Sequence, residues 1–341
     1  MAQLQELDNQ QLTPTLQELR VELLRACPLL CIHCSAYAAP HHAVHLPLER
    51  LLTLIDEFSD GGGRRVTFTG GEPLMYTDLG EILHRCRERA LSTRLFSSGV
   101  IFDGIDRVAG VKILTQCRHL LDAVMYSVYS TSAETHDQIT RIPGSLQLTL
   151  DAIKHTVALN IRAEIHFVPT LKNYRELPDI VALAAHLHVP RVGILRFVPH
   201  GRGKSRADSL TLGREEHLWL RRAILELRKC YPCTTLYVGS AYNLLGVDAP
   251  HPCTAGINQL VIEADGSIVP CSAFSNIPVK DHFDNILRQP LQTVWRRSLY
   301  LQQVRQALAD VHSCSSCLAQ KTIIAGHIDS QIQDPLEGLP L

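Results

Sequence analysis

Three closely spaced cysteines constrain this chain more than any other feature. Cys27, Cys31 and Cys34 lie in the string ACPLLCIHCSAY with the spacing C-x3-C-x2-C, and no fourth cysteine is nearby. Soft thiolate ligands in a short loop suit an iron–sulfur cluster or zinc better than a disulfide. Three ligands to a four-iron cluster leave one iron open to a cofactor or substrate. A structural zinc needs a fourth ligand, for which His33 is a near candidate.

A second motif favours the iron–sulfur cluster over zinc. The β-branched run RVTFT ends in the turn Gly70-Gly71-Glu72-Pro73, about one βα unit after the cysteines. A C-x3-C-x2-C loop followed by GGEP at the end of the next strand resembles the radical S-adenosylmethionine (radical SAM) superfamily. The resemblance implies a [4Fe–4S] cluster whose open iron binds the amine and carboxylate of S-adenosylmethionine.

The same resemblance implies a reaction and a cofactor site. Reductive cleavage of S-adenosylmethionine gives a 5'-deoxyadenosyl radical, which abstracts hydrogen from an organic substrate. The GGEP backbone holds the amine of the cofactor, and the serine that ends strand four in relatives also contacts the cofactor. Here that serine is Ser127, in a stretch YSVYS…ETHD…PGS that is close to the one in many maturases. The alternative for Ser127 is a plain hydrogen bond at the strand end. The expected cofactor-binding residues are Gly70, Gly71, Glu72, Pro73, Ser127 and His33.

Apolar periodicity predicts a regular alternation of strands and helices. Strands are predicted at 19–26, 65–69, 93–97, 123–129, 161–168 and 192–197, and helices at 47–58, 78–90, 108–120, 146–159, 177–187 and 214–229. Six alternations are too few for an eight-stranded barrel and fit the α/β, TIM-like partial (β/α)6 barrel of the radical SAM enzymes. We expect this barrel over 18–230, after a polar N-terminal segment at 1–17. Because barrel chemistry lies at the carboxyl ends of the strands, the cysteine loop and GGEP fall on the same rim.

A second set of cysteines follows the predicted barrel. Cys253, Cys271, Cys314 and Cys317 surround a short strand at 235–239 and a predicted β-hairpin, 260–263 with 267–269. The G-x4-C unit that ends at Cys271 resembles the start of a SPASM domain. No cysteine follows Cys317, and the shortened pattern resembles the twitch domain, which holds one auxiliary [4Fe–4S] cluster.

We therefore expect a small α+β SPASM/twitch domain over 231–325 and a C-terminal tail over 326–341. Four thiolates close all four irons of a cluster, so its expected task is electron transfer. A structural zinc on the same four cysteines is the alternative.

Other residues are candidates for the substrate site. The loop after strand six contains Arg196, His200 and Arg202, which are suited to bind a substrate carboxylate or phosphate, or else are solvated charges of the rim. Cys230 and Cys233 are weak candidates for a catalytic hydrogen-atom donor, and the alternative for both is simple packing.

Composition limits the partners. The net charge of −1 gives no reason to expect nucleic-acid binding, and no apolar run is long enough to span a membrane. Eleven cysteines without an export signal predict a cytoplasmic protein with cluster ligands rather than disulfides. The expected electron donor is a flavodoxin- or ferredoxin-type reductant.

The expected reaction is a net two-electron oxidation, a dehydrogenation, of a small molecule in a biosynthetic pathway, with the auxiliary cluster as electron acceptor. The alternative is a peptide maturase that forms thioether or other cross-links. Many such maturases carry a leader-binding domain before the barrel, for which the position of Cys27 leaves no room. This favours a small molecule, or a peptide delivered by a separate partner. A non-catalytic iron–sulfur electron carrier is an alternative of another class, against which the intact GGEP argues.

Overall fold

The computed structural model describes residues 14–275, 284–309, 317–325, 334 and 337. In this part of the chain the strands are β1 (Glu18–Glu22), β2 (Arg65–Thr69), β3 (Ser92–Ser97), β4 (Val100–Asp103), β5 (Asp106–Ala109), β6 (Ala123–Ser127), β7 (Arg162–Phe167), β8 (Arg191–Ile194), β9 (Thr235–Val238), β10 (Gln259–Ile262) and β11 (Ile268–Val269). The α-helices are α1 (Leu48–Asp60), α2 (Leu79–Glu88), α3 (Val111–Gln116), α4 (Ala133–Thr140), α5 (Ser145–Ala158), α6 (Leu177–His186), α7 (Ala207–Leu210), α8 (Arg214–Cys230), α9 (Leu291–Arg297), α10 (Leu299–Ala309) and α11 (Leu318–Ala325).

Six parallel strands with helical crossovers form the centre of the molecule, so the predicted partial barrel is confirmed. The strands follow one another in the order β1-β2-β3-β6-β7-β8, each paired in parallel with the next. The helices bury apolar stripes against the sheet, as α1 does with Leu51, Leu54, Ile55 and Phe58. The barrel therefore forms for the reason that the sequence suggested, because strand and helix periodicities alternate.

The ends of several predicted elements differ from the structure. The first strand ends at Glu22 instead of continuing to residue 26, and the chain then turns into the cysteine loop. Two isolated bridges, Leu24 with His45 and Ala26 with Ala39, hold the base of this loop. The predicted helix over 108–120 is shorter because residues 100–109 form the β4–β5 hairpin, whose strands pair from Val100–Ala109 to Asp103–Asp106.

The C-terminal part of the chain continues the sheet of the barrel. Strand β9 pairs in parallel with β8 at one edge, and β10 pairs in parallel with β1 at the other. The predicted hairpin is present as β10 and β11, which pair antiparallel. Within the part of the chain that the structure describes, the sheet therefore has nine strands in the order β11-β10-β1-β2-β3-β6-β7-β8-β9.

Polar contacts fasten this C-terminal part to the start of the chain. The indole N–H of Trp295 donates to the carbonyl of Pro14 at 2.7 Å, and the backbone N–H of Leu291 donates to the Glu57 carboxylate at 2.8 Å. Arg50 of α1 donates to the carbonyls of Ile286 and Gln289. None of the helices in the described residues is long and apolar enough to cross a membrane.

Candidate active site

The three N-terminal cysteines lie on one cavity at the carboxyl ends of the strands. The cavity has a volume of about 310 Å³, and Cys27, Cys31 and Cys34 all line it. Burial raises the pKa of the Cys31 thiol to about 12, with a further contribution from Cys34, and raises the pKa of Cys27 as well. The higher pKa values favour the neutral thiols. Binding of a cationic group reverses this, because each thiol loses its proton when it becomes a thiolate ligand.

The glycine turn presses directly against the base of the cysteine loop. The Gly71 N–H donates to the carbonyl of Leu24 at 2.6 Å, and the Glu72 N–H donates to the carbonyl of Ala26 at 2.9 Å. A Cβ atom at Gly71 would lie 2.0 Å from the carbonyl oxygen of Ala26. Gly70 has a φ of +128° and would place a Cβ 2.4 Å from the carbonyl oxygen of Leu24. Only glycine allows this approach, which brings both motifs to one cavity.

Glu72 points away from the cavity and anchors the turn. Its carboxylate is fully buried and accepts hydrogen bonds from the Ser97 hydroxyl at 2.6 Å and from the N–H and hydroxyl of Ser98 at 2.8 and 2.6 Å. Burial raises the pKa of Glu72, while these hydrogen bonds oppose the rise. Pro73 begins a 3-10 turn over Pro73–Met75, and the Leu74 N–H donates to the Glu72 carboxylate at 3.2 Å. Glu72 and Pro73 thus shape the turn, while Gly70 and Gly71 line the cavity.

Two more of the expected cofactor-binding residues line the cavity. His33 lies edge-on to the ring of Tyr129, with 4.6 Å between the ring centroids. Burial, with help from Arg202 and His136, lowers the pKa of His33 to about 4, so its imidazole is neutral at pH 7. Ser127 lines the cavity at the end of β6, where the sequence placed it. The part of these residues in cofactor binding stays a prediction.

The three predicted substrate ligands have different surroundings. Arg202 lines the cavity, and its guanidinium donates to the carbonyls of Cys31 at 3.0 Å and Ala38 at 2.6 Å, which braces the cysteine loop. Arg196 forms a two-fold ion pair with the buried carboxylate of Asp334, with both N–O distances 2.7 Å. His200 lies in the segment after β8 and is buried, and this burial lowers its pKa to about 4. Arg196 and His200 are not among the described residues that line the cavity.

In the described residues, the second set of cysteines does not itself line this cavity but is next to a residue that does. Cys253, Cys271 and Cys317 pack against the main core, and Cys314 lies outside the described residues. Burial, then Cys317 and Cys253, raise the pKa of Cys271 to about 12, so the three thiols are neighbours. Ser272, the residue after Cys271, lines the cavity that the first three cysteines line. The cavity therefore joins the surroundings of the two cysteine sets.

Cys230 and Cys233 lie elsewhere. Both are exposed. Cys230 is the last residue of α8, and Cys233 lies between α8 and the start of β9. Since β9 is parallel to β8, its first residue lies at the amino ends of the strands. The cavity lies at their carboxyl ends. This position gives them no contact with the cavity.

Sequence reasoning missed several residues that line the cavity, among them Arg20, Glu22, Phe96 and His166. The signal was present in strand periodicity, because residues 20 and 22 share one face of β1 with a period of two. Polar residues on the inner face of a barrel strand indicate a site. Without the register between strands, however, the inner face is not identifiable.

The residues present fit the groups that the two motifs imply. The three thiols that line the cavity are of the type and number that a cluster with one open position requires, and the glycine backbone beside them lines the same cavity. Among the described residues, no three His, Cys, Asp or Glu side chains converge on a point that a single metal ion would occupy.

Comparison with known families and proteins gives consistent findings. The radical SAM superfamily matches residues 21–184, and the SPASM iron–sulfur cluster-binding domain matches residues 253–318. A PqqA peptide cyclase of Gluconobacter oxydans is 26% identical over 302 residues, which covers 88% of this chain and 82% of the relative. An AdoMet-dependent heme synthase of Oleidesulfovibrio alaskensis is 24% identical over 332 residues, which covers 89% of this chain and 81% of the relative.

Two solved structures have the same fold. SuiB of Streptococcus suis superposes with a TM-score of 0.75 at 15% identity, covering 98% of this chain and 80% of that one. The structure titled native anSMEcpe with bound AdoMet and Cp18Cys peptide superposes with a TM-score of 0.69 at 15% identity, covering 94% and 92%.

Proposed function

Because this chain is a radical SAM enzyme with a C-terminal SPASM domain, we propose that it carries out a net two-electron oxidation of a peptide substrate. The two domains imply S-adenosylmethionine and two iron–sulfur clusters as cofactors. When bound, these groups supply the one-electron chemistry that removes a hydrogen atom and then an electron from the substrate. The protein positions them and the substrate.

One observation supports the two-electron outcome. A single cavity is lined by all three N-terminal cysteines and by Ser272, next to Cys271 of the second set. A substrate held there lies between the two cysteine sets, so an electron removed from it has a short path to the second. Arg202 keeps the cysteine loop in place, and the Glu72 anchor keeps the glycine turn beside it.

The relatives support a peptide substrate. Curated relatives named PqqA peptide cyclase match 88% of this chain, and we extend their substrate class to it. A small organic molecule, which we expected from the sequence, is the second candidate. The relative named AdoMet-dependent heme synthase, which covers a similar share of the chain, favours it.

The test uses reconstituted protein under anaerobic conditions with dithionite, S-adenosylmethionine and a pool of cysteine-containing precursor peptides. We expect 5'-deoxyadenosine and a peptide product that is lighter by two hydrogen atoms, both detected by mass spectrometry. The Cys31→Ala variant should give neither, and the Cys271→Ala variant should give 5'-deoxyadenosine with little oxidised product. A peptide that shows hydrogen exchange with the cofactor without mass loss would contradict the oxidation.

We further propose that a flavodoxin- or ferredoxin-type protein in the cytoplasm replaces dithionite. The eleven cysteines, which need a reducing compartment, support the location. Reduced flavodoxin should sustain 5'-deoxyadenosine formation, and the same flavodoxin in its oxidised form should not.

A further inference from the structure

Arg20 on β1 lines the cavity, and no acidic side chain of the described residues pairs with it. Within the described residues, its guanidinium has no hydrogen bond or ion pair, and it lies 5.6 Å from the ring centroid of Phe96. Arg202, which also lines the cavity, is satisfied because it donates to two carbonyls, and Arg196 outside the cavity pairs with Asp334. A guanidinium in a cavity without an anion is costly, and a ligand anion removes that cost.

A second polar atom on the same wall also lacks a partner. His166 of β7 lines the cavity, and its ring centroid lies 4.8 Å from that of Phe96. Its Nδ1 atom is buried and has no hydrogen-bond partner in the part of the chain that the structure describes. Burial, then the charges of Arg20, Arg191 and Arg94, lower the pKa of His166 to about 3, so the imidazole is neutral. A neutral imidazole is suited to one hydrogen bond with a ligand.

Glu22 does not neutralise Arg20. It faces the cavity two residues along β1 and is buried. Burial and the nearby Glu263 raise its pKa to about 8, so its carboxyl is mostly protonated at pH 7. The charges that act on the Glu22 pKa are those of Glu263, Arg25 and Asp265, and Arg25 already pairs with Asp265 at 3.1 Å. Cys271 also lies close enough to Arg20 for the guanidinium to oppose the rise of the thiol pKa, but it forms no hydrogen bond or ion pair with Arg20. Among the described residues, the Arg20 guanidinium therefore keeps its hydrogen-bond donors for a ligand.

We propose that Arg20, Phe96 and His166 form a carboxylate-binding subsite that holds the substrate between the two cysteine sets. A single fixed guanidinium beside a neutral imidazole matches a monoanion, and guanidinium pairs with carboxylate through two parallel hydrogen bonds. The Phe96 ring lies under the guanidinium at cation–π distance and limits where it can move. The substrate part that enters this cavity therefore carries a carboxylate, as do an aspartate or glutamate side chain, a peptide C-terminus and a small organic acid. The inference rests on the proposed function only in taking this cavity as the substrate site.

The test measures binding, and turnover is not needed. Reconstituted protein is titrated anaerobically by calorimetry with glutarate and with glutaramide, its uncharged diamide. Wild-type protein should bind glutarate at least about tenfold more tightly, as a charge-assisted hydrogen bond requires. Arg20→Met should lose this preference and Arg20→Lys should keep part of it. The Arg175→Met variant, which removes the same charge from the exposed surface, should behave as wild type.

A second measurement needs no variant. Phenylglyoxal should modify Arg20 in wild-type protein, and glutarate should slow this modification several-fold while glutaramide should not, as followed by peptide mass spectrometry. Equal binding of glutarate and glutaramide by wild type, or an unchanged preference in Arg20→Met, would overturn the subsite and leave the proposed reaction standing. Failure of the reaction assay alone would leave these binding results unchanged.

Discussion

At the scale of single residues, the site depends on backbone contacts that only glycine permits. The turn at Gly70 and Gly71 touches the carbonyls of Leu24 and Ala26, which lead into the cysteine loop. The contact between the Gly70–Gly71 turn and these two carbonyls therefore positions the cysteine loop relative to the turn. A methyl group placed there must move the loop, because neither backbone can yield without breaking its hydrogen bonds.

We predict that Gly71→Ala disrupts the first cluster site. The new Cβ would lie 2.0 Å from the Ala26 oxygen, so the cysteine loop must shift, at a cost of about 1–3 kcal/mol. Iron content per chain and the thermal midpoint should both fall. The matched control is Gly80→Ala in α2, where a Cβ meets nothing within 4 Å. That variant should be stable to within about 1 kcal/mol of wild type or better, and equal iron content in both variants would contradict the prediction.

Glu72 is the second residue-scale prediction. Glu72→Gln replaces an acceptor-only carboxylate with an amide whose NH2 group must face the Ser97 or Ser98 donors. A buried donor without a partner costs about 1–3 kcal/mol, so we expect a lower thermal midpoint and weaker S-adenosylmethionine binding by equilibrium dialysis. Ser98→Ala removes one donor and leaves the carboxylate its bonds to Ser97 and to backbone, so its effect should be smaller. A variant Glu72→Gln with unchanged cofactor affinity would show that the anchor does not position the turn.

At the scale of elements, a long-range ion pair ties the loop after β8 to the C-terminal part of the chain. Arg196 and Asp334 are both buried and joined by two hydrogen bonds, and the Cys317 N–H donates to the same carboxylate at 3.3 Å. The ion pair therefore supports the backbone at Cys317, a cysteine of the second set. Arg196 thus helps to position the backbone at Cys317 through Asp334. Its place in a loop with several charged residues did not suggest this role.

We predict that Asp334→Asn destabilises the protein by about 3–5 kcal/mol, because it leaves the Arg196 guanidinium buried without a counter-charge. Anaerobic urea unfolding measures the loss. The double variant Arg196→Met, Asp334→Leu should recover most of it, since no charge then remains buried. The control is Asp248→Asn, which breaks the half-exposed pair with Arg228 and should cost at most about 1 kcal/mol. Similar losses in Asp334→Asn and Asp248→Asn would contradict the prediction.

The start of α8 carries a pH-dependent contribution to stability. His217 is buried, and its ring contacts the Gly213 carbonyl at 2.7 Å. Burial lowers its pKa to about 4, below the value of about 6.5 in an unfolded chain. The unfolded state therefore binds the proton first, and stability present above pH 6.5 is lost as the pH falls toward 4, by up to about 1.4 kcal/mol per pH unit. His217→Gln should flatten this slope in urea unfolding measured from pH 7 to pH 5, and an unchanged slope would exclude His217 as its source.

At the scale of the whole molecule, the barrel and the second cysteine region share one sheet. Strand β10 covers the edge of β1, with Leu19 opposite Leu260 and Val21 opposite Ile262. Trp295 and Leu291 close the contact at α1 and the N-terminal segment. The two matched regions therefore share one continuous sheet in the described residues.

We predict that a fragment ending at residue 250 aggregates. Its β1 edge and the apolar surface that Leu260, Val261 and Ile262 cover would be exposed, and an open apolar edge promotes association between chains. Size-exclusion chromatography of the fragment and the full chain, expressed under the same conditions, measures this. A monomeric, cooperatively unfolding fragment would show that the barrel does not need β10.

The sequence by itself determined the two motifs, the alternation that forms the barrel, and the rim on which the motifs meet. These features depend on residue spacing and periodicity within short segments, which can be read without knowing where the segment lies in the fold. The tertiary structure alone decided that β10 pairs with the edge of β1, that Arg196 pairs with Asp334, and that Arg20 faces the cavity with no ion pair to any described residue. Each of these depends on which side chains meet across a large sequence separation. Such pairings have no local signature, because the energy that selects them arises only when the sheet closes and excludes water.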